Sequence, residues 1–251
     1  MRFDGRIAIV TGGARGMGAS HARALAAEGA RVVICDLLDD EGAALAEELP
    51  AARYHHLDVT DEPSWSSVVR ETEEAFGAVD VLVNNAGIVH FGGVEALSPA
   101  HFRQMIEVNL VGAFIGMHTV LPGMRARGRG SVVNISSAAG LTGFAGGIGY
   151  VASKWGVRGM TKAAALDMAG TGVRVNSVHP GVIRTPMGDS ASPELFARQP
   201  IPRIGEPEEV TRMVLFLASD DASYTTGGEF LIDGGQTIGL GGHADPSPPD
   251  V

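Results

Sequence analysis

Short apolar runs alternate with longer mixed segments along the whole chain. Strand–helix alternation of this kind is typical of right-handed crossovers between parallel strands. It predicts an α/β fold with one doubly wound, seven-stranded parallel sheet and helices on both faces. The runs of four to six residues that predict the strands are Ile7–Val10, Arg31–Cys35, Arg53–Leu57, Val79–Val83, Ser131–Ile135, Val173–Val178 and Glu229–Ile232.

Several predicted helices have clear start or stop signals. An Ala-rich helix runs from Ala19 to Glu28 and ends before a glycine. Thr60 can cap a helix that runs to Phe76. Ser98 supplies a capping hydroxyl directly before a proline, and Glu206 also precedes a proline that can occupy the first helical position.

Two segments depart from the alternation. Residues 182–204 form a long connection with four prolines and a short predicted helix after Ser192. Because this connection follows a strand, we expect it to form a lid or a substrate loop. Residues 239–251 contain three Gly and three Pro, so this tail is either disordered or held against a neighbouring subunit. The expected domain therefore covers residues 1–238.

Length and charge exclude several classes of protein. A chain of 251 residues without a composition break suits one large α/β domain. The formal net charge of −10 disfavours nucleic acid and anionic membranes as partners. A single cysteine, Cys35, rules out an internal disulfide and is expected to be buried. No apolar stretch approaches the roughly 20 residues of a membrane span, and a strand at Ile7 leaves no room for a signal peptide. We expect a cytoplasmic protein.

A glycine-rich turn follows the first predicted strand. The segment Thr11–Gly18 leads from the strand into a helix. Backbone N–H groups and the positive end of the helix dipole would together bind a pyrophosphate there. The alternative is an ordinary tight turn, because 35 of the 251 residues are glycine.

Asp36 ends the second predicted strand, about twenty residues beyond these glycines. An acid at that place can bind both ribose hydroxyls of an adenosine and would repel a 2′-phosphate, which favours NAD over NADP. Arg15 lies within the glycine-rich turn and could pair with such a phosphate, but Asp36 occupies the place that the phosphate needs. A solvated turn acid is the alternative interpretation of Asp36.

The strongest catalytic signal is the spacing of Ser137, Tyr150 and Lys154. Residues four apart lie on one face of a helix, so the ammonium is expected beside the phenol. A nearby positive charge favours the phenolate, and a decrease of about three units in the phenol pKa would make Tyr150 a usable base. The chain has only 3 Tyr and 2 Lys, so this pair is rarely expected by chance. Ser136 competes with Ser137 for the serine role.

Taken together, these residues resemble the short-chain dehydrogenase/reductases of about 250 residues. The resemblance extends from Asp4 to about Gly239. The motifs that carry it, in family order, are Thr11–Gly18, Asp58-Val59, Asn84-Asn85-Ala86-Gly87, Asn109, Ser137, Tyr150 with Lys154, Pro180-Gly181 and Asp233-Gly234-Gly235.

The resemblance implies a Rossmann-type domain, an NAD cofactor, a catalytic set and a homotetramer. The catalytic set would be Asn109, which holds a relay water, with Ser137, Tyr150 and Lys154. The residues implied for the cofactor are Gly12, Arg15, Gly16, Met17, Gly18, Asp36, Leu37, Asp58, Val59, Asn85, Ala86, Gly87, Tyr150, Lys154, Pro180, Gly181, Ile183 and Thr185. Alternatives stay open: Asp58 as a turn acid, Asn84-Asn85 as a plain turn, and Asn109 as a buried residue that satisfies backbone groups.

The reaction implied is the interconversion of a secondary alcohol and a ketone. Apolar residues expected around its site favour a small apolar alcohol or ketone, such as a steroid, terpenoid or alicyclic compound: Phe91, Leu141, Phe144, Ile148, Met187, Leu195 and Phe196. His90 and His179 lie in the same region and are expected to be structural. The rival hypotheses are an NADPH-linked 3-oxoacyl ketoreductase and a non-catalytic NAD(H) sensor. No metal-ligand pattern and no Gly-x-Ser-x-Gly motif is present.

Overall fold

The computed structural model describes residues 1–188 and 197–239. Seven parallel strands form one sheet in the order β3-β2-β1-β4-β5-β6-β7. This arrangement confirms the predicted fold class. The strands are β1 (Ile7–Thr11), β2 (Arg31–Asp36), β3 (Ala52–His56), β4 (Val81–Asn84), β5 (Gly130–Ile135), β6 (Val173–Pro180) and β7 (Glu229–Ile232).

Helices connect the strands in the alternation that the sequence predicts. A π-helical turn, Glu107–Val111, joins two of them into one continuous helical segment. Two short 3-10 turns, Ala138–Gly140 and Asp220–Ala222, follow β5 and the last helix. The helices are α1 (Gly16–Ala27), α2 (Asp39–Glu48), α3 (Glu62–Ala75), α4 (Pro99–Ile106), α5 (Gly112–Arg127), α6 (Ile148–Asp167) and α7 (Pro207–Ala218).

The predicted starts of α4 and α7 are confirmed, and the predicted cap of α3 is wrong. Ser98 accepts a hydrogen bond from a backbone N–H of the first turn of α4. The start of α7 has a capping box, in which Glu206 and Glu209 satisfy each other's backbone N–H groups. The cap of α3 is Asp61 rather than Thr60. The hydroxyl of Thr60 instead donates to the carboxylate of Asp58, 2.7 Å away.

The core lies on both faces of the sheet, because helices cover each face. Ala8 and Val10 of β1 pack in one cluster with α1 and α7, while Ile9 packs in the other with α3 and α5. Adjacent residues of one strand are thus buried on opposite sides, as expected for a parallel sheet. Cys35 is buried in the second cluster, as its apolar run predicts.

The helical segment Pro99–Arg127 is long and apolar enough to cross a membrane by length and composition alone. The expectation that no apolar stretch approaches that length therefore does not hold. In the structure 44% of its most apolar 18-residue window is buried, and α5 packs against α3, β4 and β5. The core helix of a folded domain passes the same test of length and composition.

Candidate active site

The strand order reverses between β1 and β4, and the loops that follow these two strands are joined there. The side-chain amide of Asn85 donates to the carbonyl oxygens of Thr11 and Gly12, both at 3.0 Å. The Thr11 hydroxyl in turn accepts from the backbone N–H groups of Asn85 and Ala86. Ligands of doubly wound folds bind in the crevice at this kind of switch point.

The loop Thr11–Gly18 packs so closely that a side chain at Gly12 or Gly18 would clash with backbone atoms. A Cβ at Gly12 would lie 2.8 Å from the Cα of Ala86, and a Cβ at Gly18 would overlap the carbonyl oxygen of Gly12. The loop ends at α1, whose cap residue, Arg15, makes no side-chain capping bond, and the first turn of α1 contains no acidic residue. An uncapped helix end of this kind fits a bound pyrophosphate.

Asp36 holds the same loop from the side of β2. One carboxylate oxygen accepts from the N–H of Ala14 at 3.0 Å, and the other accepts from Leu37 and Leu38 at 2.8 and 3.2 Å. The negative charge is therefore fixed directly beside the uncapped start of α1. Arg15 is exposed.

Asp58 and Val59 follow β3 and differ in burial. Asp58 is exposed and accepts from the N–H and the hydroxyl of Thr60, which is the geometry of a turn acid. Val59 is buried against α5, since a Cβ at Gly112 would lie 2.7 Å from its side chain. Leu37 is 56% exposed, so it lies at the surface of the predicted adenosine site.

The structure brings Ser137, Tyr150 and Lys154 together. Tyr150 and Lys154 lie one turn apart on α6, and the ammonium is 5.6 Å from the centroid of the phenol ring. The Ser137 side chain lies close enough to the phenol to lower its pKa. Ser136 instead donates to the backbone carbonyl of Lys154 at 2.9 Å, so Ser137 and not Ser136 is the serine that contacts Tyr150.

Lys154 is almost completely buried. Its ammonium donates to the carbonyl oxygen of Ile135 at 2.8 Å, and its exposed fraction is 3%. Because burial penalises a charge, the pKa of Lys154 is lowered to about 8. A Cβ at Gly87 would lie 3.5 Å from the Lys154 ammonium and 3.3 Å from the side-chain oxygen of Asn109. Gly87 therefore separates two members of the predicted catalytic set.

Asn109 lies in the π-helical turn and uses both ends of its amide. Its oxygen accepts from the N–H of Ile88 at 2.8 Å, and its nitrogen donates to the carbonyl of Ile88 at 2.9 Å. The same nitrogen donates to the hydroxyl of Ser153 on α6 at 3.0 Å. Asn109 thus ties the loop after β4 to the helix that carries Tyr150 and Lys154.

The expected decrease in the Tyr150 pKa is wrong for this arrangement. Burial raises the pKa of Tyr150, and the hydrogen bond from Ser137 lowers it only in part. The reason lies in the direction of the Lys154 side chain. Its ammonium donates to Ile135 rather than to the phenol, so its charge acts on the phenolate only from a distance.

The predicted nicotinamide side lies at the end of β6. Gly181 donates to Ile232 at 3.0 Å, and a Cβ there would lie 2.9 Å from the Cα of Asp233. Ile183 is buried. The methyl group of Thr185 lies 3.3 Å from the place of a Cβ at Gly16, so the segment after Pro180 reaches the start of α1.

Comparisons with known proteins agree with this geometry. The family model described as enoyl-(acyl carrier protein) reductase, a short-chain dehydrogenase/reductase model, matches residues 12–237. A 3-alpha-(or 20-beta)-hydroxysteroid dehydrogenase from Mycobacterium bovis is 50% identical over 95% of this chain and 92% of its own length. This chain belongs to the short-chain dehydrogenase/reductase family. It is therefore an oxidoreductase that uses a nicotinamide cofactor.

Two further relatives support the membership. The trans-4-hydroxycyclohexanecarboxylate dehydrogenase of Sinomonas cyclohexanicum is 49% identical over 95% of both chains. A crystal structure of levodione reductase superposes with a TM-score of 0.90 at 37% identity, covering 95% of this chain and all of that one. The segments 52–60 and 150–159 also resemble a bacterial 3α,20β-hydroxysteroid dehydrogenase of the family, in line with the relative from Mycobacterium bovis.

Several of the predicted apolar residues are exposed in this dehydrogenase. Phe91, Phe144, Ile148 and Met187 are between 39% and 67% exposed, and Leu141 is half-buried. A hydrogen bond from Gly92 to Gly146 joins the segments after β4 and β5. Leu195, Phe196 and the predicted helix after Ser192 lie outside the described residues.

The two histidines of this region differ in their surroundings. His90 contacts Gln104 and stacks on His101, with ring centroids 4.2 Å apart. His179 is fully buried at the end of β6 and contacts the backbone of Ser137. Sequence reasoning assigned no role to this contact, because it depends on how β5 and β6 pair.

Proposed function

We propose that this enzyme is an NAD-dependent dehydrogenase that interconverts a secondary alcohol and a ketone. The observation that carries the proposal is the placement of Ser137 beside the phenol of Tyr150, one helical turn from the buried ammonium of Lys154. This set lies at the same sheet edge as the uncapped start of α1. A non-catalytic NAD(H) sensor would require neither the phenol nor the ammonium.

In this proposal the chain moves a proton while the cofactor takes up or gives the hydride. A bound nicotinamide supplies the acceptor or donor of hydride for the carbinol carbon. The hydroxyl of Ser137 holds the substrate oxygen, and Tyr150 accepts the hydroxyl proton during oxidation and returns it during reduction. Lys154 stabilises the phenolate and binds the nicotinamide ribose. Asn109 holds a relay water beside the loop after β4.

We propose NAD rather than NADP because of Asp36. Its carboxylate is fixed beside the start of α1 by three backbone N–H groups, where it can accept from ribose hydroxyls and repel a 2′-phosphate. This charge also argues against the NADPH-linked 3-oxoacyl ketoreductase. The remaining proposed cofactor contacts are Gly12, Arg15, Gly16, Met17, Gly18, Leu37, Asp58, Val59, Asn85, Ala86, Gly87, Tyr150, Lys154, Pro180, Gly181, Ile183 and Thr185.

For the substrate we propose an alicyclic or steroid alcohol. Two of the relatives are named for a hydroxysteroid and a hydroxycyclohexanecarboxylate, and a third for levodione. The exposed apolar residues, in particular Phe91, Phe144 and Met187, would contact the hydrocarbon part of such a molecule. A terpenoid alcohol fits the same chemistry.

We further propose that the enzyme is a cytoplasmic homotetramer with its catalytic domain at residues 1–238, its substrate loop at 182–204 and its tail at 239–251. The support for assembly is an apolar face of α5 and α6 that surrounds a cavity of about 770 Å³. Phe114 and Leu166 on these helices are 52% and 76% exposed. Light scattering of the parent and of Phe114→Glu tests this assembly. An unchanged mass in the variant would exclude this face as an interface.

The enzymatic proposal is tested by following NADH formation from NAD⁺ with steroid, terpene and cycloalkyl alcohols. The parent should turn over at least one class, and Tyr150→Phe should bind NADH while its kcat falls by about a thousandfold or more. NADH fluorescence measures the binding separately. Equal turnover in both proteins would refute the role of Tyr150. Binding of NADH without turnover of any alcohol would favour the sensor.

A further inference from the structure

The last three residues of β6 contact the segment that carries Ser137. The N–H of Ser136 donates to the carbonyl of Val178 at 2.8 Å. The ring nitrogen Nδ1 of His179 lies 3.0 Å from the carbonyl oxygen of Ser137. The Ser137 hydroxyl lies 3.5 Å from the carbonyl oxygen of Pro180. Of these three contacts, the one from His179 is made by a side chain and is open to substitution without altering the strand.

The hydrogen-bond partners of His179 fix the position of its proton. The partner of Nδ1 is a carbonyl oxygen, which only accepts, so Nδ1 carries the proton and donates. Nε2 is then an acceptor for the hydroxyl of Ser177, 2.9 Å away, which also lies 3.2 Å from the carbonyl oxygen of Gly228. The opposite tautomer would direct the lone pair of Nδ1 at the lone pairs of the Ser137 oxygen. Both ring nitrogens are therefore satisfied in one tautomer only.

His179 keeps this donor at neutral pH. The residue has no exposed surface, and burial lowers its pKa, so the neutral ring is the stable form. The Ser137 carbonyl also accepts from the N–H of Gly140 at 2.8 Å. Two donors thus fix the peptide plane of Ser137, whose backbone is extended at φ −169° and ψ 164°. With that plane fixed, the Ser137 side chain is held beside Tyr150.

We propose that His179 is a positioning residue for Ser137: its Nδ1–H holds the Ser137 carbonyl so that the Ser137 hydroxyl is aligned with Tyr150 and the substrate oxygen. The inference rests on the proposed function, in which Ser137 holds that oxygen. His179 itself contacts neither the phenol nor the substrate. Its effect is transmitted through one peptide unit.

Replacing His179 with asparagine or with glutamine tests the hydrogen bonds of its two ring nitrogens separately. The amide nitrogen of His179→Asn takes the place of Nδ1 and keeps the bond to Ser137. The amide of His179→Gln takes the place of Nε2, so it reaches Ser177 and loses the bond to Ser137. We expect kcat within about twofold of the parent for His179→Asn and about tenfold lower for His179→Gln, with the substrate KM changed less than kcat. The two variants should have similar melting temperatures, since each leaves one polar contact unmade.

A double-mutant cycle with Ser137→Ala decides whether the effect passes through the serine. Without the hydroxyl there is nothing left to align, so His179→Gln should lower kcat by less than about twofold in the Ser137→Ala background. An equal tenfold loss in both backgrounds would refute the positioning role, as would equal kcat in the asparagine and glutamine variants. Full activity of Ser137→Ala alone would instead refute the proposed function of the serine.

Discussion

We expect that replacing Lys154 with Met stabilises the cofactor-free protein while it removes the proposed activity. Burial lowers the pKa of Lys154 from 10.5 to about 8. At about 1.4 kcal/mol per unit, this decrease means that folding with a charged Lys154 costs about 3 kcal/mol. Methionine has a similar volume and is uncharged, but it leaves the carbonyl of Ile135 without its donor, which costs about 1 kcal/mol. The variant should gain about 2 kcal/mol in the free energy of unfolding at neutral pH.

The gain has a characteristic dependence on pH. Below a pH of about 8, Lys154 is charged in the folded and the unfolded states, so the whole cost is present. Between about 8 and 10.5 the folded protein releases a proton that the unfolded chain keeps. The stability of the parent therefore rises with pH in this window, because the unfolded state binds more protons. The advantage of the variant should shrink through the same window.

Equilibrium unfolding in urea, followed by tryptophan fluorescence, measures the difference at each pH, since Trp65 is fully buried. The second lysine of the chain supplies a matched control. Lys162 is 51% exposed and pairs with Glu229, so Lys162→Met should lose up to about 1 kcal/mol and show no such dependence on pH. The reasoning is refuted if Lys154→Met is no more stable than the parent at neutral pH, or if its advantage persists undiminished at high pH.

Three further results are expected. Asp36→Asn removes the charge and keeps the side-chain size, so the ratio of kcat/KM for NAD⁺ over NADP⁺ should fall about tenfold; an unchanged ratio would exclude Asp36 from cofactor choice. Gly42→Ala should lower the free energy of unfolding by about 1–3 kcal/mol, because a Cβ there would overlap the ring of Tyr54. Gly143→Ala, whose Cβ would have none of the described residues near it, should be neutral in denaturant unfolding. Because burial raises the pKa of Tyr150, kcat/KM for alcohol oxidation should increase with pH, and a flat profile would contradict its role as the base.

The sheet was predictable because buried parallel strands leave a direct trace in the sequence. Runs such as Ile7–Val10 and Arg31–Cys35 are apolar on both sides, and the structure extends each by only one residue. The spacing of Tyr150 and Lys154 was informative for a similar reason, since helical periodicity alone places them one turn apart. Local periodicity therefore predicts the strands of the sheet and the placement of Tyr150 beside Lys154.

Features that depend on pairing across the chain were not predictable. The bond from His179 to Ser137 exists because β5 and β6 are neighbours, with Asn134 opposite Ser177. The π-helical turn around Asn109 has no local signal in one sequence, because its residues also suit an ordinary helix. The direction of Lys154 toward Ile135 likewise follows from the packing of α6 on β5 and not from the spacing.

Burial acts on the two ionisable groups of the site in a way that links stability to chemistry. It raises the pKa of Tyr150 and lowers that of Lys154, so it favours the neutral form of each. At neutral pH the phenol consequently keeps its proton, which suits the reduction of a ketone, while oxidation of an alcohol requires further stabilisation of the phenolate. Lys154 can provide part of that stabilisation only by remaining charged inside the protein. The dry surroundings that make this buried charge costly for the fold also screen it little, so the ammonium can act on the phenolate from a distance.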